Sequence, residues 1–155
     1  MARMQVGAKN AGILDLLKLT GTFTIGEEDG AEVILPPTDT LTYGDWCKQG
    51  YPYLAAMVDY TQEVTLPAEM MGKELLFSAD VGDDLYQVFI NGELVGTRMW
   101  QPYTLDITEA VQSPTFTLTV RVVNTIANLL EAQRKPSGLN ACSITAYPKY
   151  TLHKA

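Results

Sequence analysis

Apolar residues fall on every second position in several stretches of this chain. The cleanest is "TFTLTVRVV", residues 115–123. Phe116, Leu118, Val120 and Val122 share one side, and Thr115, Thr117, Thr119 and Arg121 share the other. A period of two predicts a strand with one face on a core and one face wet. "YLAAMVDYTQEVTL" repeats the pattern: Leu54, Ala56, Val58, Tyr60, Val64 and Leu66 on one side, Asp59, Thr61 and Glu63 on the other. "ELLFSADV" groups Leu75, Phe77, Ala79 and Val81, and "LYQVFI" points Tyr86, Val88 and Ile90 inward. Further strands are expected at 16–25, 31–35, 94–99 and 141–147.

Turn signals separate these runs: "GEEDG", "LPP", "LPAEMMG" and "VGDD". Asn91-Gly92 lies between two apolar runs and predicts a two-residue hairpin, because both residues tolerate the positive φ of a type I′ turn. Helical signals are short. Thr108 is a candidate N-cap for "DITEAV", and "IANLLEAQRK" allows about two turns. Many short strands with frequent turns predict an all-β chain, an antiparallel sandwich or barrel. Residues 1–12 read as a loose lead-in and 13–155 as a single domain, with no internal repeat or linker.

Size and charge narrow the function. At 155 residues the chain can bury a core without a disulfide framework or a metal. Its net charge of −7, with lysines and arginines scattered singly, argues against nucleic acid and against an anionic membrane as partners. No run of eighteen apolar residues is present, so no spanning helix is expected. Residues 13–19 are apolar but interrupted by Asp15 and Lys18, and no small-residue cleavage site follows. That is not the layout of a secretory signal, so the expectation is an intracellular protein or a piece of a secreted one. Cys47 and Cys142 lack metal or dithiol spacing. They are left as either a disulfide or two small buried side chains.

The order of segments resembles the galactose-binding-like jelly roll, as in the sugar-binding domain of family 2 glycoside hydrolases and similar modules of α-L-rhamnosidase-like enzymes. The resemblance runs over residues 45–147. "DWCKQGYPYLAAMVDYTQEVTLP" resembles the family's tryptophan, glycine-tyrosine and Y-x-x-x-x-x-L-P strands. "VFINGELVGTRMWQPYTLDIT" resembles its V-x-V-N-G-x-x-V-G hairpin followed by an aromatic-proline and D-I-T segment. "TLTVRVVNTIANLL" and "SGLNACSITAY" resemble its L-x-V-x-V-x-N strand and closing strand. The resemblance implies an accessory module that binds carbohydrate or packs on a glycosidase catalytic domain, outside the cell or in the periplasm as part of a larger enzyme. It also implies that catalytic carboxylates lie in other domains, and it allows a structural calcium ion.

The residues offer candidates of their own. A pyranose has an apolar C–H face that lies flat on an indole, so Trp46 and Trp100 are the first candidates, with Tyr43, Tyr51, Tyr53 and Tyr103 extending the platform. For any single one of them the commoner role is to anchor a core. Pro102 cannot continue a ladder, so "WQP" is expected to bend and swing Trp100 off the sheet. Arg98 offers a fork of donors to vicinal hydroxyls or a uronate; its alternative is a surface salt bridge. Asn124 and Asn128 either read hydroxyls or close turns through the backbone, and Glu131 is a weaker candidate. The acidic clusters at Glu27–Asp29 and Asp80–Asp84 read as solvated turns, with calcium as the alternative. No cofactor motif or nucleophile elbow is present. Asp59, Glu63 and Asp106 form no recognisable glycosidase pair, and His153 stands two residues from the chain's end. A small hydrolase in its own right is therefore the last of three readings, after a binding module and a structural domain.

Overall fold

The structure is a computed structural model that describes Leu19 and residues 21–149. The expected lead-in at 1–12, much of the expected strand at 16–25, and His153 lie outside the described residues. Among the described residues nine strands form: β1 Thr24–Glu28, β2 Ala31–Leu35, β3 Met57–Thr65, β4 Glu74–Asp80, β5 Leu85–Ile90, β6 Glu93–Arg98, β7 Thr104–Asp106, β8 Thr115–Val123 and β9 Ala141–Tyr147. One short helix, α1 Ala127–Glu131, precedes β9. All pairings are antiparallel, and the chain is an all-β sandwich. A four-stranded sheet runs β3-β8-β5-β6, a three-stranded sheet runs β7-β4-β9, and β1-β2 form a separate hairpin.

The alternation read from the sequence is the alternation that packs. Leu75 and Phe77 of β4, Tyr86, Val88 and Ile90 of β5, and Phe116, Leu118, Val120 and Val122 of β8 meet in one core between the sheets. Phe77 meets Tyr86 edge-on across the layer at 5.8 Å. On the wet face Thr61 pairs with Thr119 at 2.8 Å, and Arg121 of β8 grips Asp59 of β3 through two bonds of 2.7 and 2.8 Å. The Arg121 guanidinium also lies 5.0 Å from the Phe89 ring.

Asn91 and Gly92 take φ of 51° and 84°, as the expected hairpin requires, and the Asn91 side chain accepts from Thr117 N at 2.9 Å. Strand β6 carries one extra residue against β5: Val88 faces Gly96 and Phe89 faces Leu94, which leaves Val95 bulged. Gly96 gives β7 room, since a Cβ there would lie 2.7 Å from a Leu105 methyl.

Three expectations change. Strand β1 starts at Thr24 and runs through Gly26–Glu28, which the sequence suggested as turn; the reversal is confined to Asp29-Gly30 with φ of 51° and 77°. The 104–106 segment adds a third strand to the smaller sheet, too short to show a period. "DITEAV" makes a single turn, with Ala110 N and Val111 N on Ile107 O. The Thr108 hydroxyl accepts from Leu75 N at 2.9 Å, so its capping atom ties this turn to β4.

Candidate functional site

The open feature that gathers predicted residues is the bend after β6. Arg98 ends the strand, Met99 and Trp100 follow, and the chain returns through Pro102 to β7. The Gln101–Pro102 peptide is cis. Trp100 is 70% exposed, and Thr97, Arg98, Met99, Trp100, Gln101 and Thr104 line a shallow groove of about 360 Å³. A buried indole stabilises a core through its area; an exposed one keeps a flat apolar face in water, available to stack.

Arg98 does not form the surface salt bridge considered as its alternative. Its Nε donates to Thr104 O, and its Nη1 donates to Thr97 O at 3.1 Å. These bonds fix the guanidinium against the bend. Tyr86 lies opposite Arg98 in the ladder, fully buried, and burial pushes its hydroxyl up to about 12.

The other candidates separate. Trp46 is not part of a platform. It is fully buried in a short 3₁₀ turn, Trp46–Gln49, and donates from Nε1 to the Tyr60 hydroxyl at 2.7 Å. The turn is capped by Asp45, whose carboxylate accepts from Cys47 N at 3.0 Å and is flanked by the left-handed Gly50. Asn124 is also internal: it accepts from Ala56 N at 3.0 Å and donates to Leu54 O at 2.8 Å. Asn128, 3% exposed, grips Lys135 N and O at 2.7 and 2.8 Å. Both asparagines close loops, and neither presents an amide to a ligand.

Tyr103 packs its ring 6.0 Å from Tyr86 and is absent from the groove lining. Tyr51 and Tyr53 line a different hollow, also about 360 Å³, with Phe23, Leu54, Leu129 and Leu19. The Tyr51 hydroxyl is bound to the Thr38 backbone at 3.1 and 3.2 Å. Tyr53 lies under the Arg134 guanidinium, which also pairs with Glu32 at 2.6 Å. Exposed Tyr43 stacks on Tyr60 at 5.5 Å, and Glu131 bonds to Gln133. Trp100 and Arg98 thus share one groove, and Tyr51 and Tyr53 share another whose polar atoms are already engaged.

The cysteines are free thiols. Cys47 Sγ donates to Lys135 O at 3.3 Å, and Cys142 lies 4.0 Å from the Tyr43 hydroxyl. Burial and the Asp45 carboxylate push Cys47 up to about 11. Among the described residues no three His, Cys, Asp or Glu side chains converge as a metal site. The 80–84 cluster is not wholly a solvated turn. Asp84 is 5% exposed and accepts from Gly138 N at 3.0 Å and from Ser137 Oγ at 3.5 Å. Burial pushes its carboxyl up to about 6, against those two donors. Its place in "VGDD" gave no signal, because the residues that enclose it come from 137–138, more than fifty positions away.

An antiparallel sandwich with an indole and a guanidinium on one shallow rim is the class of protein that fold and site define. Among solved structures, the chain is similar to a rhamnosidase from Novosphingobium sp. PP1Y, at 24% identity and a TM-score of 0.54 over 93% of this chain and 16% of that one. It is also similar to a β-glucuronidase from Bifidobacterium dentium, at 23% identity and a TM-score of 0.49 over 60% of this chain and 17% of that one. A β-D-glucuronidase from Dictyoglomus thermophilum shares 17% identity, with a TM-score of 0.46 over 69% and 19%. The chain spans less than a fifth of each of these proteins. No protein-family model matches the sequence, and no curated protein does. The rhamnosidase likeness is one of fold.

Proposed function

We propose that this chain is a non-catalytic carbohydrate-binding accessory module of a bacterial glycoside hydrolase. Its sandwich is of the jelly-roll, galactose-binding-like type, and it acts outside the cell or in the periplasm as part of a larger enzyme. One observation carries the reading: Trp100 is 70% exposed beside a fixed Arg98 in an open groove. A sugar ring stacks its C–H face on the indole while Gln101, Thr97 and Thr104 meet its hydroxyls. Among the described residues the groove lining has no carboxylate, which supports binding over hydrolysis. The rhamnosidase, 16% of which this chain spans, supports the accessory role. Retention of the purified chain on a panel of soluble and insoluble polysaccharides tests it. The wild type is expected to be retained and Trp100→Ala to pass through. No retention on any glycan, or equal retention of the variant, removes the proposal.

A second reading has its own observation. Leu19, Ile126 and Leu129 are exposed, and Leu19 and Leu129 border the hollow lined by Phe23 and Tyr51. Such a patch suits packing against a catalytic domain. Co-purification with that domain, abolished by Leu129→Asp but not by Trp100→Ala, would favour it.

A further inference from the structure

We infer that the groove takes a uronic acid residue, with the sugar's C–H face on Trp100 and its carboxylate on Arg98. This deepens the carbohydrate-binding proposal and rests on it. Among the described residues that line the groove, Arg98 is the only charged one, and Thr97, Met99, Trp100, Gln101, Pro102 and Thr104 supply no acid. The chain has 18 acidic residues against 11 basic ones, so a rim with a lone cation stands apart from its surroundings. The other arginines of the described sheets and loops are neutralised, Arg121 by Asp59 and Arg134 by Glu32. Arg98 meets main-chain carbonyls instead, and these hold the side chain without cancelling its charge.

A guanidinium has five N–H donors in a planar fork. Two point to Thr104 O and Thr97 O, so the remainder are left for a ligand. A planar carboxylate matches that fork with two parallel bonds, a geometry a neutral hydroxymethyl group lacks. The rigid attachment also lowers the entropy lost on binding. An uncharged sugar would leave the guanidinium in water and gain only the stacking contact.

The test changes the ligand before the protein. Affinity electrophoresis and calorimetry would compare polygalacturonate, its methyl ester, a neutral galactan and dextran sulfate. Binding to polygalacturonate is expected to exceed binding to the ester by about tenfold or more, the scale of one charge-assisted bond. It should weaken with added salt. Arg98→Gln should lose this preference, and Arg98→Lys should retain part of it through its charge. Equal affinity for the acid and its ester, with both arginine variants unchanged, overturns the carboxylate assignment and leaves carbohydrate binding in place. Dextran sulfate bound as tightly as polygalacturonate also overturns it, because charge alone would then suffice. Binding to none of the four polymers overturns the uronate assignment, and retention on another polysaccharide of the wider panel keeps carbohydrate binding in place.

Discussion

Replacing Asp84 by asparagine should make this protein more stable at neutral pH. The residue is 5% exposed, and among the described residues its carboxylate accepts from Gly138 N and Ser137 Oγ alone. Burial lifts its folded value from 3.8 to about 6. Between those values the folded chain keeps a proton that the unfolded chain has released. The contribution of Asp84 to stability therefore falls as pH rises from about 4 to about 6 and is level beyond. That upward shift sets a ceiling of about 3 kcal/mol on the penalty at pH 7. Asparagine keeps the shape: Oδ1 still accepts from Gly138 N, and Nδ2 can donate to Ser137 Oγ, whose proton then goes to Lys135 O, 3.5 Å away. The charge that burial penalises is gone. Urea unfolding at pH 7 should show the variant more stable by up to about 3 kcal/mol. For a chain of this size that corresponds to a Tm higher by about 6–12 °C. At pH 4 the two proteins should nearly coincide. A variant less stable than wild type at pH 7 would show that the two donors outweigh burial, and the reasoning would fail.

The other predictions probe the core, a glycine and a thiol. Trp46→Ala should destabilise by roughly 3–5 kcal/mol, as a fully buried aromatic that also leaves the Tyr60 hydroxyl without its donor, measured by urea titration. Trp100→Ala should change stability by less than about 0.5 kcal/mol in the same assay, because the ring touches solvent. Gly138 has φ of 123°, and a Cβ there would lie 2.4 Å from Gly44 O and 2.8 Å from Trp46 Nε1. Gly138→Ala should therefore cost roughly 2–3 kcal/mol or fail to fold, read by circular dichroism and urea melts. Cys47, raised from 9.0 to about 11, should react with a disulfide reagent at pH 8 about tenfold more slowly than a free thiol, since the smaller thiolate fraction is partly offset by a more nucleophilic thiolate, measured in a Cys142→Ser background.

The long strands β4, β5 and β8 were legible because one face of each is dry, whereas β7 is too short to show it. Phe116 to Val122 and Leu75 to Val81 alternate for that reason, and no distant information is needed to see it. Asn91-Gly92 was legible because its backbone conformation is a local property. The tryptophans were not told apart by composition. Trp46 and Trp100 both sit beside glycines, prolines and polar residues in sequence, yet the first is sealed by β3 through Tyr60 and the second stands in water. Asn124, Asn128 and Asp84 share that difficulty: their partners at 54–56, 135 and 137–138 become neighbours only in the fold. The bend at Trp100 was readable, since Pro102 stops a ladder by itself. That Arg98 would bind carbonyls rather than an acid depended on where β7 passes.

The 134–140 loop meets Trp46 and Gly44 through Gly138, Asp84 through Ser137 and Gly138, and Asn128 through Lys135. None of those residues borders the Trp100 groove. The fold and the proposed binding surface thus draw on separate sets of side chains. Diversification of positions 99–101 leaves the latch that joins the sandwich's far segments untouched, which makes the bend a convenient place for library selection.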